Sequence, residues 1–87
     1  MMRRIAVTGA GGFIGGALAL RIDREAGFGA VRIVRDDFSR GLLPEKLAGC
    51  EAVVHLAGES RSAEPEALFR TNLALTEQVA AAVRKTP

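Results

Sequence analysis

The feature that most constrains this chain is a set of glycines standing where an apolar strand hands over to an amphipathic helix. Arg4 to Thr8 (Arg-Ile-Ala-Val-Thr) is a short apolar run closed by glycine, the pattern of a strand buried in a parallel sheet. From Phe13 to about Ala26, Ile14, Leu18 and Ile22 recur at i, i+4 and i+8, while Arg21, Asp23, Arg24 and Glu25 gather at the outer and C-terminal end, which predicts a helix. Between them lies Gly9-Ala10-Gly11-Gly12, and Gly15 follows one turn into the helix. Each glycine of the triplet has its own physical task. Gly9 permits the tight turn off the strand, Gly12 lets a pyrophosphate reach the backbone without meeting a Cβ, and Gly15 lets the helix pack closely on the strand. The helix N-terminus then offers N–H groups and a positive dipole end to phosphates. Counted as Gly-x-Gly-x-x-Gly from Gly9, the last position falls on Ile14, so the commoner dinucleotide fingerprint is not met; Gly-x-x-Gly-x-x-Gly is met at Gly9, Gly12 and Gly15.

The rest of the chain repeats the alternation. Gly27 stands where a left-handed helix C-cap is wanted. Ala30 to Val34 reads as a second strand, Asp36 to Gly41 as a loop, and Leu43 to Leu47 as a short helical turn around Pro44. Glu51 to Ala57 reads as a third strand closed by Gly58. Pro65 suits the first turn of a last helix, with Glu64 and Glu66 complementing its N-terminus. Leu68, Phe69, Leu73, Val79, Ala80 and Val83 supply an apolar stripe out to about Lys85. Strands alternating with amphipathic helices predict an α/β fold: a three-stranded parallel sheet of order 2-1-3, helices on both faces, right-handed crossovers. The first strand is then central, and a ligand is expected at the carboxyl ends of the strands where the sheet reverses its direction of growth.

Composition narrows the function classes. A chain of 87 residues has room for one domain. Hydrophobic residues at 48% and charged residues at 25% fit a soluble globular chain, and no stretch approaches the roughly 18 apolar residues of a membrane span. The net charge is only +2, with arginines interleaved among acids, so no basic stripe points to nucleic acid. Cys50 is the single cysteine and His55 the single histidine, which excludes an internal disulfide and leaves no Cys- or His-based metal site. Cys50 is expected to be an inert small apolar residue, and His55 a packed or hydrogen-bonded core histidine. The apolar run after Arg3-Arg4 stops at Thr8-Gly9, too short for a signal peptide, so a cytoplasmic protein is expected.

With these elements in place, Thr8-Gly9-Ala10-Gly11-Gly12-Phe13-Ile14-Gly15 resembles the signature of the extended short-chain dehydrogenase/reductases, the family of sugar-nucleotide epimerases, dehydratases and reductases. Val54-His55-Leu56-Ala57-Gly58 resembles that family's His-Leu-Ala motif, and Asn72 with Leu-Ala-Leu-Thr after it resembles the asparagine of its next helix. The resemblance runs from Arg4 to about Val83. It implies part of a Rossmann domain binding NAD or NADP, with Gly9, Gly12, Phe13, Ile14, Gly15, Leu56, Ala57, Gly58 and Asn72 at the cofactor and a nucleotide-sugar substrate in the parent enzyme. The short segment before His55, together with His-Leu-Ala-Gly-Glu-Ser-Arg, is similar to the reductases of capsular-polysaccharide hexulose synthesis. Ser60 and Arg61 follow the strand's carboxyl end, where substrate contacts occur, but solvated loop residues fit equally well.

The end of the second strand bears on the choice of cofactor. An acid there accepts hydrogen bonds from a free ribose 2′-OH and repels a 2′-phosphate, whereas an arginine pairs with that phosphate. The chain offers both: Asp36, 21 residues after Gly15, and Arg35 beside it, with Arg40 as a further charge. Both cofactors stay open, with NADP(H) the better supported. The family's reaction uses a Tyr-x-x-x-Lys pair as general acid/base, and this chain contains no tyrosine. The expectation is therefore the front part of a larger enzyme, not catalytically competent alone, whose catalytic and substrate-binding residues lie beyond Pro87. The alternatives are a non-catalytic nucleotide-sensing module and an interaction module that pairs its open sheet edge with a copy of itself.

Overall fold

The computed structural model describes residues 2–58 and 64–85. Its elements run β1 (Arg3–Thr8), α1 (Phe13–Arg24), β2 (Phe28–Ile33), α2 (Arg35–Ser39), α3 (Leu43–Leu47), β3 (Ala52–His55) and α4 (Pro65–Lys85). The strands form one parallel sheet of order β2-β1-β3, as the alternation predicts. In register, Thr8 stands level with Ile33 on one side and His55 on the other, so all three carboxyl ends open onto one rim.

Strand alternation sorts the core into two faces. Ala6 and Ile33 point to the side of α2, α3 and α4, where they pack with Phe38, Leu43, Leu47, Val79 and Ala82. Val7 points to the other side, toward α1, and is fully buried, as is Ala19 of that helix. Cys50 packs half-buried against the larger cluster, and burial pushes its thiol pKa up, so it behaves as a small apolar residue. The outer edge of β3 pairs with no strand among the described residues.

Several sequence expectations need correction. The segment 36–41 is not a loop throughout: residues Arg35–Ser39 form a helical turn, α2. Its cause is Asp37, whose carboxylate accepts the Val34 N–H at 2.8 Å and so caps the turn from inside. Gly27 is left-handed, at φ +83°, but it does not cap α1. The helix stops at Arg24, and Gly27 is the third residue of a turn closed by Phe28 N–H on the Glu25 carbonyl, a place that demands positive φ. The second strand begins two residues earlier than expected, at Phe28, and ends at Ile33. The third ends at His55, because the next two N–H groups turn to a side chain of β1. In α1 the buried line is Gly15 and Ala19 flanked by half-buried Leu18 and Ile22, while Ile14 is 70% exposed. Small residues face the sheet because the helix sits close to it. In α4 Phe69, Leu73 and Val83 are exposed, and the buried line is Val79 and Ala82 with half-buried Leu68 and Leu75. Apolar residues occur on two faces of that helix, so periodicity alone could not choose between them.

Asp37 is the one buried acid among the described residues, and its environment is built for the charged form. Burial alone would raise its pKa, yet the Val34 N–H and the Lys46 ammonium at 3.1 Å outweigh that and hold it below the ordinary 3.8. Lys46 also donates to the Arg32 carbonyl at 3.1 Å, tying α3 to β2. The unfolded chain therefore binds this proton more readily. The stabilisation is fully present above about pH 3.8 and is lost as pH falls from there through the folded value. Asp37→Ala is expected to lower unfolding free energy by about 1–3 kcal/mol, since it leaves the Val34 N–H without its acceptor and removes the ion pair with Lys46. Urea denaturation near neutral pH reads that loss, and the same series in acid should show a flatter decline for the variant.

Candidate functional site

The loop between β1 and α1 is pinned on three sides by its own backbone. Ala10 N–H donates to the Ile33 carbonyl at 3.2 Å, anchoring the loop to the end of β2. Gly9, at φ +71°, lies so close to the exit of β3 that a Cβ there would stand 2.9 Å from Ala57 N. A Cβ on Gly15 would fall on the Gly9 carbonyl, so α1 starts directly against the turn it leaves. Gly12 is the residue capping α1, and no side chain caps that helix or places an acid in its first turn. Helix geometry leaves the first N–H groups of α1 without intrahelical partners, and they face outward with the positive dipole end.

Above this loop is a half-open cleft of about 340 Å³, at the small end of the ligand-site range. Gly9, Gly11 and Gly12 form its floor, Val34, Arg35 and Phe38 one wall, and Leu56, Ala57 and Gly58 with Leu75 the other. It lies at the carboxyl rim of the sheet, beside the central strand, where the strand order reverses.

The expected site residues distribute unevenly around it. Gly9, Gly12, Arg35, Leu56, Ala57 and Gly58 line the cleft. Gly15 supports it from below. Asn72 reaches it through Gly58, where a Cβ would meet the Asn72 amide oxygen at 3.2 Å. Phe13 and Ile14 are on the first turn of α1 with their side chains exposed, and neither is in the lining. Asp36 is exposed, pairs with Arg40 at 3.6 Å, and is also outside the lining. Thr71 is exposed on α4. Glu59, Ser60 and Arg61 lie outside the described residues.

The structure adds residues that the sequence reading passed over. Phe38 lines the cleft from α2 on the same wall as Val34 and Arg35, and a lone aromatic residue in a polar segment was the available signal. Thr8, fully buried, accepts the Leu56 and Ala57 N–H groups on its hydroxyl at 2.9 and 3.0 Å. That hydroxyl also lies 2.6 Å from His55 Nδ1, while His55 Nε2 lies 3.2 Å from the Thr76 hydroxyl. Thr76 donates to the Asn72 carbonyl at 2.9 Å. His55 is thus half-buried and hydrogen-bonded, with the Phe38 ring 6.4 Å away, and burial lowers its pKa from the ordinary 6.5. Among the described residues, no cluster of potential ligands could hold a metal ion, and no helix is long and apolar enough to cross a membrane.

No protein-family model matches the chain. It is 36% identical over 81 residues to a UDP-2-acetamido-2,6-beta-L-arabino-hexul-4-ose reductase of Pseudomonas aeruginosa, covering 93% of this chain and 22% of that one. Its fold matches the crystal structure of uronate dehydrogenase from Agrobacterium tumefaciens with a TM-score of 0.69 at 24% identity, over 98% of this chain and 37% of the other. A variant of that dehydrogenase complexed with NAD matches with a TM-score of 0.66 at 25% identity, over 99% of this chain and 38% of the other. The chain thus spans well under half the length of each. These likenesses bear out the resemblance to the N-terminal part of the extended short-chain dehydrogenase/reductases and the partial Rossmann fold that it implies.

The geometry separates the glycines by what they serve. Gly15→Ala should destabilise the chain by about 1–3 kcal/mol or prevent folding, because the new methyl meets backbone that cannot move aside. Gly9→Ala should behave alike, with the added strain of positive φ. Thermal or urea denaturation monitored by circular dichroism checks both.

Proposed function

We propose that this chain is the dinucleotide-binding portion of an NAD(P)-dependent oxidoreductase or epimerase of the extended short-chain dehydrogenase/reductase family, acting on a nucleotide-linked sugar. The observation that carries the reading is the contrast among the glycines. Gly9 and Gly15 are required by the fold itself, but Gly12 is not: a Cβ there would meet only the Gly9 carbonyl, at 3.4 Å, an ordinary contact. Gly11 has still more room, with Val34 Cγ1 at 3.8 Å. Both line the cleft at the start of α1. Backbone kept bare where the protein has no need of it fits a ligand that must come close, and the helix N-terminus beside it suits a pyrophosphate.

In this reading Gly12 and the first N–H groups of α1 hold the pyrophosphate, and Arg35 stands where the adenosine ribose would lie. Leu56, Ala57, Gly58 and Asn72 form the wall toward the nicotinamide half. NADP(H) is the preferred cofactor. Arg35 on the cleft wall supports that preference, while Asp36 pairs with Arg40 and is not in the lining. A nicotinamide dinucleotide held there would supply the hydride chemistry. The residues described here bind it, orient it and shield one face of the cleft. With no tyrosine in the chain, the general acid/base of the family's reaction is not among these 87 residues. A nucleotide-linked sugar as substrate is supported by the likeness to the UDP-linked hexulose reductase of Pseudomonas aeruginosa.

Calorimetric titration with NADPH and with NADH tests the reading. Gly12→Ala should cost at most about 1 kcal/mol of stability, as a poorer helix cap. It should nevertheless weaken dinucleotide binding by about tenfold or more, the equivalent of roughly 1.4 kcal/mol. Arg35→Ala should weaken NADPH more than NADH, on the order of tenfold, by removing a charge-assisted hydrogen bond. If NADH binds more tightly and Asp36→Ala abolishes it, the preference reverses toward NAD. Failure of the wild-type chain to bind either would reject the phosphate role of the loop.

A further inference from the structure

The hydrogen bonds between Thr8 and α4 have only one consistent direction. Thr8 Oγ1 accepts the Leu56 and Ala57 N–H groups, and a hydroxyl has two lone pairs and one proton. Both lone pairs being taken, the proton goes to the remaining neighbour, His55 Nδ1 at 2.6 Å. Nδ1 is therefore an acceptor, the ring is neutral, and its proton sits on Nε2. Nε2 donates to Thr76 Oγ1, and the Thr76 hydroxyl in turn donates a hydrogen bond to the Asn72 carbonyl. The chain of bonds thus runs from β1 through the end of β3 to α4. Its ends belong to the cleft, since Leu56 and Ala57 are wall residues and Asn72 rests on Gly58.

We propose that Thr8, His55 and Thr76 are positioning residues of the cleft: their one-way hydrogen bonds clamp the carboxyl end of β3 and the first half of α4 to β1, and the clamp holds only while His55 is neutral. The dinucleotide role of the cleft is the reading on which this rests. A protonated ring would present a second N–H, at Nδ1, to a hydroxyl with no lone pair left. Either Leu56 or Ala57 must then give up its acceptor, and the wall moves. Among the described residues, the groups that face the ring offer no compensating charge. Thr8 faces it from β1, Phe38 from α2 and Thr76 from α4. The α2 carboxylate of Asp37 is committed to Val34 and Lys46, while Glu77 and Arg70 of α4 are exposed. Burial lowers the His55 pKa from its ordinary value. Because the folded value is the lower one, the clamp is complete above about pH 6.5 and fails as pH falls from there through the folded pKa.

The test follows hydrogen exchange of the Leu56 and Ala57 amides, corrected for intrinsic exchange, beside the affinity for oxidised NADP and NAD. Between about pH 7.5 and about pH 5.5, protection of these two amides should fall relative to the β1 core. Affinity should fall with it, by at most about tenfold per pH unit, the limit for one linked proton. His55→Asn places a non-titrating acceptor near the Nδ1 position and should flatten both profiles. Thr8→Ser keeps the hydroxyl and should retain them, whereas Thr8→Val should lose the protection at every pH. In the wild-type chain, ring nitrogen shifts should show the proton on Nε2 at neutral pH. A proton found on Nδ1, or protection that does not change with acid, overturns the clamp. Selective loss of protection in a chain that binds no dinucleotide at any pH keeps the clamp and rejects the cofactor site; tight binding with flat protection does the opposite.

Discussion

The rest of the structure depends on the approach of α1 to the turn that precedes it. Because Gly15 has no side chain, the first turn of α1 rests on the Gly9 carbonyl, and because Gly9 has none, that turn rests in its own right on the exit of β3. Two backbone-to-backbone contacts thereby set the height of the helix over the sheet and bring its N-terminus to the carboxyl rim. Ala19 continues the small-residue line one turn later and is fully buried. With larger side chains at these places α1 would ride higher, and the cleft between its N-terminus and the two strand ends would lose its floor.

The two walls of that cleft are held by different chemistry. On the β2 side a buried carboxylate, Asp37, organises a single helical turn and is answered by Lys46, so α2 and α3 are locked to the strand by charge and hydrogen bonds. Gln78 of α4 extends the same support by donating to the Phe38 carbonyl at 2.8 Å. On the β3 side the work falls to a neutral hydroxyl, Thr8, which takes the two N–H groups released when β3 ends. Buried polar groups must be satisfied, and here the satisfaction also determines where the strand stops and the wall begins. Exposed ion pairs such as Arg3 with Glu51 add little by comparison.

Much of the architecture was legible from the residues in order. The strand-glycine-helix junction, the alternation of elements, the sheet order and the short turn at Leu43 to Leu47 follow from periodicity and from glycine and proline placement. The floor of the cleft and its β3 wall were legible for the same reason, since each lies within a few residues of a glycine that closes a strand. What was missed has a common physical cause. Asp37 caps the turn at Arg35–Ser39 locally, but its burial and its pairing with Lys46 come with the packing of α3, and the role of Thr8 depends on a strand 47 residues away. Burial and pairing across elements cannot be read from a local window.

The sequence by itself determined the order of elements, the parallel sheet and the glycine loop at its rim, because these arise from local backbone freedom and from the spacing of apolar side chains. Tertiary structure decided which face of each helix is buried: Ile14, Phe69 and Leu73 carry the apolar signal yet stay exposed, because the sheet admits only the faces that come close enough to touch it. It also decided that a threonine and a histidine become neighbours, since register places Thr8 opposite His55 across β1 and β3, and hydrogen bonding between them requires that proximity and nothing in either residue's own surroundings along the chain.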